Sequence, residues 1–376
     1  MSESTLSTEL LRSALLVGEE SVAAFQIWQS IIDLDDLPSE LHDLLPLIYR
    51  NLEASGVDHP WLPRLKGIYR RAWYLHQSAL HSLAAVVTAL QAENIPLLVV
   101  GGAALAHTVY PAPALRPLFL PEVVVPGEFV NGAIRVLQAQ GWRAEPVSPH
   151  LTNAEFRAWV AGQRFVNEQR QSLWLGWHVV PNLPCAQLDR VCWSAAIDLP
   201  LDTGTVRTLC PTDHLLQASL TVQEGSLVAL ADAALLLRHA TIDWQRLLEL
   251  ARLSRSGRPV LGTLRTIAET VGLDAPPEIL SALRQLPASY AEKQIPFGLA
   301  GLAQQTVRWQ RFWRLLALYR STAECAGVPP GLGNFALFLQ HSRHLRTPWE
   351  IPQYLLRRML SPQKMTQSGL GSSHLL

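Results

Sequence analysis

The sequence predicts an α+β fold, a small mixed sheet flanked by helical regions at both ends. Three observations carry this. Pro96 to Val100 is a short apolar run closed by Pro on one side and Gly101-Gly102 on the other, the pattern of a buried strand. Arg116 to Val125 returns as a second apolar strand after the breaker cluster Tyr110-Pro-Ala-Pro113. Before residue 93 and after residue 211, apolar residues recur at helical spacing instead.

Taken in order, the chain divides into a helical region over 1–93, an α/β core over 94–210, a helical domain over 211–360 and a polar, Gly/Ser-rich tail over 361–376 expected to be disordered. Ser7 to Leu16 opens an amphipathic helix, and Ala23 to Ile32 reads as another. Pro38 to Tyr49 carries a Leu41/Leu44/Leu45/Ile48 face, with Ser39 as its cap and a kink expected at Pro46. Pro60 to Asn94 is a long pattern whose stripe comprises Leu65, Ile68, Trp73, Leu80, Leu83, Val86, Val87 and Leu90. The pair Arg70-Arg71 lies off that stripe, as a solvated face would.

In the core, Gly101-Gly102 permits a tight turn and a close backbone approach, and Ala103 to Thr108 is a short helix. The free N–H groups at such a helix start favour an anion such as phosphate. Strand, Gly-Gly, helix, loop, strand is a layout that can hold a mononucleotide, although most Gly-Gly pairs are merely turns. Glu128 to Gln140 is a helix stopped by Gly141. Trp142 to Val147 is a short strand, Asn153 to Ala161 a short helix, and Arg164 to Val166 and Ser172 to Val180 are strands. After Asp189 come a helical Val191 segment and a strand-like Val206 to Leu209. Helices follow at Pro211 (cap Thr212), Leu227 to His239, Asp243-Trp244 (cap Asp243), Val260 to Val271, Pro277 to Leu286 and Gly298 to Arg320. In the last, Trp309, Trp313, Leu316 and Tyr319 share a side, more suited to a core or interface than to stacking bases. Thr347-Pro-Trp-Glu350 reads as a capping box.

Composition narrows the function. Lys plus Arg equals Asp plus Glu at 31 each, which argues against a general binder of nucleic acid or anionic membranes. Apolar residues at 48% suffice for sizeable cores in 376 residues. Charged residues at 16% and twelve Trp hint that a protein partner or self-association covers some apolar surface. Cys185, Cys192, Cys210 and Cys325 form no CxxC pair and no zinc spacing, which suits a reducing cytoplasm. No signal-peptide pattern appears at the N-terminus. No membrane span is expected, since Asp232, Arg238 and His239 interrupt the nearest apolar run. GxxxxGK[ST], GxSxG and HExxH are all missing.

The residues Val99-Val100-Gly101-Gly102-Ala103-Ala104-Leu105, Tyr110-Pro111, Leu115-Arg116-Pro117 and Val123-Val124-Val125-Pro126 resemble the nucleotidyltransferase superfamily, in particular the bacterial uncharacterised nucleotidyltransferase family. The resemblance extends from about Ser7 to Leu360. It implies a nucleotide site drawing on Gly101, Gly102, Arg116, Glu122, His178 and Asp232. It also implies metal-binding carboxylates at 120, 122 and 176, where this chain has Leu120, Glu122 and Gly176. Carboxylates two apart on a strand share a face and can grip Mg²⁺ ions on a nucleoside triphosphate. Pro121 cannot donate to a ladder, so the strand is expected at an edge or bulged, with Glu122 either a surviving ligand or a solvated edge residue. His178 reads as a packed strand residue or as a base. Asp232 reads as a buried hydrogen-bonded acid or, by resemblance, as a group facing the cleft. Glu155, Glu168 and Asp189 have no spacing that would rescue the acid set.

The expectation is therefore a nucleotidyltransferase-like protein that is catalytically degenerate and acts by binding a protein or peptide partner or a nucleotide. The alternative is an active enzyme moving a nucleoside monophosphate to a peptide, protein or small molecule with Glu122 as its acid. Mg²⁺ and a nucleoside triphosphate are implied only if it is active. A purely structural subunit is the third reading.

Overall fold

The structure, a computed structural model, describes residues 3–287 apart from 182, 202–203 and 224–225, and beyond them 316, 319–320, 322–324, 328–329, 331–343 and 345–360. Trp309, Trp313, Cys325 and the 361–376 tail lie outside the described residues.

The chain opens with helices α1 (Glu3–Leu15), α2 (Gly18–Gln29) and α3 (Leu45–Ala54), followed by the long α4 (Leu62–Ala92). Pro46 does not kink α3. It sits in the first turn, where a missing N–H leaves no hydrogen bond unmade. The short 3-10 turn before it starts at Ser39 itself, with Pro38 flanking, so Ser39 is not a cap. On α4 the stripe is buried at Leu65, Leu83, Val86, Val87 and Leu90, but Trp73 is 50% exposed. The α4 pattern feeds directly into β1 (Leu98–Val100), and α5 (Gly101–Thr108) leaves that strand without a loop.

The remaining core elements are β2 (Glu122–Val124), α6 (Val130–Ala139), β3 (Arg143–Ala144), α7 (Ala154–Trp159), β4 (Gly162–Val166), β5 (Ser172–Gly176), α8 (Ala186–Ser194), β6 (Ile197–Leu201) and β7 (Gly204–Thr208). They form a seven-stranded mixed sheet of order β3-β4-β5-β2-β1-β7-β6. β2 is its middle strand, antiparallel to β1 and parallel to β5, so the expected edge position is corrected. Pro121 precedes the first ladder residue, where its missing N–H is harmless, and its carbonyl still accepts from Trp174 N at 2.9 Å. Strand β6 is missing from the sequence reading. Pro200 and two exposed residues, Ile197 and Asp198, disguise it, and all three are tolerable because β6 is an edge.

Helices α9 (Pro211–Gln223), α10 (Leu227–His239), α11 (Trp244–Leu253), α12 (Gly257–Val271) and α13 (Pro277–Gln285) follow, then α14 (Leu332–Ser342) and α15 (Ile351–Leu360) among the described residues. Asp243 caps α11 by accepting from Arg246 N at 3.0 Å. Thr212 is not a cap. It lies inside α9, buried, and its hydroxyl accepts from Asp243 N at 2.9 Å, tying the start of α11 to α9. Arg246 and the buried Asp213 form a second α9–α11 tie, at 2.6 and 2.7 Å. The Thr347 side chain makes no cap bond. Glu350 instead accepts from Arg346 N at 3.1 Å.

Alternation puts Leu98, Val100 and Val124 on one sheet face and Val99, Val123, Leu173 and Leu175 on the other. The first face packs into a core that joins α1 to α3 with α9 to α13. The second is covered by α4 and α6. The two helical ends of the chain thus meet on one face of the sheet. Arg12 Nη1 donates to Thr270 O at 3.1 Å, and Arg238 Nη1 to Leu15 O at 2.5 Å.

Candidate nucleotide cleft

The site is built where β1 ends and α5 begins. Gly101 has φ of +62°, a conformation that glycine adopts without strain. A Cβ at Gly101 would overlap the Glu122 carboxylate, lying 2.8 Å from its Cδ. A Cβ at Gly102 would lie 3.2 Å from Arg116 Cζ. The Gly-Gly step therefore does more than turn the chain. It lets one carboxylate and one guanidinium lie directly against the helix start.

Glu122 pairs with Val100 on β1 and Trp174 on β5. It is not a solvated edge residue. It keeps some solvent contact, yet burial pushes its carboxyl up to about 7, with Asp232 adding to the rise and Arg116 opposing it. Among the described residues it makes no hydrogen bond or ion pair.

Arg116 and Asp232 form a fork. Nε donates to both carboxylate oxygens at 2.9 and 3.2 Å, and Nη2 to Oδ2 at 3.0 Å. Tyr110 Oη donates to Oδ1 at 2.6 Å. Asp232 is 3% exposed, so its reading as a buried, hydrogen-bonded acid holds, and it lies in the electrostatic neighbourhood of Glu122. Burial disfavours the charged guanidinium, but Asp232 outweighs this and holds Arg116 above its ordinary value. Burial and Asp232 together push the Tyr110 hydroxyl well up. Behind the fork, His76 on α4 has Nδ1 3.2 Å from Arg116 O. Burial lowers its imidazole to about 4, so at neutral pH it donates or accepts as an uncharged ring. Its ring centroid is 5.8 Å from that of His107 on α5.

The other positions are not brought to Glu122. Leu120 falls in a bend ahead of the three-residue strand, outside the ladder. Gly176 pairs with Val124, one pair beyond Glu122 on the same face. A Cβ there would meet Val124 Cγ2, His178 O and Trp174 Nε1 at 3.2 to 3.3 Å, a tight fit. His178 is held at both ring nitrogens, Nδ1 2.5 Å from Asp189 Oδ2 and Nε2 3.0 Å from Arg157 O. Asp189 Oδ1 also accepts from Val179 N at 2.8 Å. His178 is thus a strut between β5, α7 and α8.

The donors do not fit a two-ion magnesium site. Glu122 supplies one carboxylate, both oxygens of Asp232 serve Arg116 and Tyr110, and among the described residues no group of three His, Cys, Asp or Glu could hold a metal. Sequence reading missed Tyr110 and His76 as members of this cluster. Tyr110 lies 122 residues from Asp232 and His76 lies 40 from Arg116, separations at which a single sequence carries no pairing signal.

A family model described as "Uncharacterised nucleotidyltransferase" matches residues 38–272. The chain belongs to this uncharacterised nucleotidyltransferase family. The match covers α3 through the end of α12, including every strand of the sheet, the Gly101-Gly102 step, Arg116, Glu122 and Asp232. It is narrower than the span over which the sequence resembles the family. No curated protein and no solved structure matches the chain. No helix among the described residues is long and apolar enough to cross a membrane.

Proposed function

We propose that this family member keeps the nucleotidyltransferase cleft but has lost metal-dependent transfer, and that it acts by binding a nucleotide or a protein or peptide partner. One observation carries the reading. Of the three positions where the resemblance places acids, only Glu122 is acidic, Leu120 is out of the ladder and the Gly176 position is tightly packed by its neighbours. Two-ion transfer depends on cations neutralising phosphate charge, a contribution of several kcal/mol to the barrier. A lone carboxylate with a pKa near 7 holds such ions poorly. The cytoplasm is the proposed compartment, a reading supported by free thiols at Cys185, Cys192 and Cys210.

The test is calorimetric titration with ATP, GTP, CTP and UTP, each with and without Mg²⁺, alongside a transfer assay with labelled nucleotides. Nucleotide binding indifferent to Mg²⁺, without transfer, is the expected result, whereas no nucleotide binding favours the purely structural subunit. Robust Mg²⁺- or Mn²⁺-dependent labelling of any acceptor overturns the proposal. A second reading, an active transferase with a single acid, is favoured by Glu122 making no hydrogen bond or ion pair among the described residues. It requires Glu122→Gln to abolish turnover.

A further inference from the structure

Helix α14 docks on α7 through a buried histidine. His341 is 2% exposed, and among the described residues neither of its ring nitrogens has a hydrogen-bond partner. Its ring stands edge-on to His150 at 5.0 Å and to Phe156 at 5.7 Å. His150 Nε2 lies 3.2 Å from both Leu345 O and the Gln340 amide nitrogen. One of these contacts needs a proton on that nitrogen and the other a lone pair, so either tautomer of His150 satisfies only one of them. Around it, Phe338 and Leu339 are 1% exposed, and Trp159 of α7 packs on Phe338 and Tyr319. A proton added to His341 would place an unpaired cation in this aromatic setting.

We infer that the α14–α7 contact is an acid-sensitive latch, docked while the His341 ring is neutral and released when it takes up a proton. Burial first, and then the neighbouring His150, lower the imidazole of His341, while Glu155 on α7 opposes this. Other charged groups on the packed elements include Arg157, Arg343 and Glu350. Arg157 donates to Asn131 Oδ1 and Thr152 O, and Glu350 accepts from Arg346 N. Arg343, next to the helix end, also has a partner.

The sign follows from linkage. Released His341 titrates near 6.5 and docked His341 lower, so docking is at full strength above about pH 6.5 and weakens as pH falls below it. The latch bears on the cleft's neighbourhood because α7 supplies the carbonyl of Arg157 that accepts from His178 and Trp177 at the end of β5.

Hydrogen exchange of the full chain, read by mass spectrometry and corrected for intrinsic rates, tests this. Between pH 7.5 and pH 5.5, protection over residues 332–342 is expected to fall by up to about tenfold, the limit for one linked proton over one unit below 6.5, while peptides spanning β1 keep theirs. His341→Phe is expected to hold its protection at both pH values. If that variant is undocked already at pH 7.5, His341→Gln, polar but unable to titrate there, takes its place. No pH-dependent loss in the wild type, or the same loss in the non-titrating variant, overturns the inference.

Discussion

Asp232 and Arg116 show how one pair of side chains fixes a whole region. The fork is buried, 15% and 5% exposed at its side chains, so neither charge survives well alone. Removing one partner of such a pair costs about 3–5 kcal/mol, whereas replacing both with apolar residues of similar size is far milder. Asp232→Ala should therefore lower the urea midpoint sharply, and Arg116→Met combined with Asp232→Leu should recover most of the loss. Glu122 behaves oppositely. Its folded-state pKa is raised to about 7 from 4.5, so its stabilising contribution is fully present below about pH 4.5 and is lost as pH rises through 7. Discounted for its partial solvent contact, a charged Glu122 costs about 1–2 kcal/mol at pH 8. Glu122→Gln should gain that much at pH 8 and little at pH 4, measured by urea denaturation. Asp232 is legible in the sequence as an acid inside an apolar helix, but its partners are not, because they sit more than a hundred residues away.

At the level of elements, glycines set how closely the pieces approach. Gly101 joins β1 to α5 at positive φ and leaves room for the Glu122 carboxylate. Gly101→Ala should cost about 2–3 kcal/mol, of which about 1 is the backbone conformation. Combining it with Glu122→Ala should remove the overlap and leave only the backbone part. Gly162 does the same for the β4–β5 pairing. A Cβ there would fall 2.7 Å from the Leu175 carbonyl and 2.6 Å from the Trp174 ring. A backbone carbonyl cannot swing aside, so Gly162→Ala should destabilise by about 2–3 kcal/mol, read as a drop in Tm. The helices were legible at this scale from their stripes, and α10 falls on the residues its pattern predicts. The strand ends were not. β2 has three residues instead of ten.

For the whole molecule, the buried histidines and Glu122 set the response to acid. Burial holds His76 and His214 at about 4, so each contributes stability above about pH 6.5 that is lost as pH falls toward 4. Glu122 works against them over most of that window. From His76, His214 and Glu122 alone, two protons gained on unfolding against one released give a slope of about 1.4 kcal/mol per pH unit, and His341, also lowered by burial, adds to the fall in stability on acidification between pH 6.5 and 4.5. Chemical denaturation across that range checks it. Glu122→Gln should steepen the slope, and replacing His76 should flatten it.

The sequence by itself determined that strand, Gly-Gly and helix follow one another and that helical regions flank them. Each of these is a statement about neighbours along the chain, which local sterics and apolar periodicity decide. Only the tertiary structure decided that β2 is central, that Glu122 is half-buried and, among the described residues, without a hydrogen bond or ion pair, that Asp232 is bound to Arg116 and Tyr110, and that His178 braces Asp189. Those depend on which distant side chains share one buried volume, where a charge without a partner is too costly to keep and the pairing is set by proximity in space.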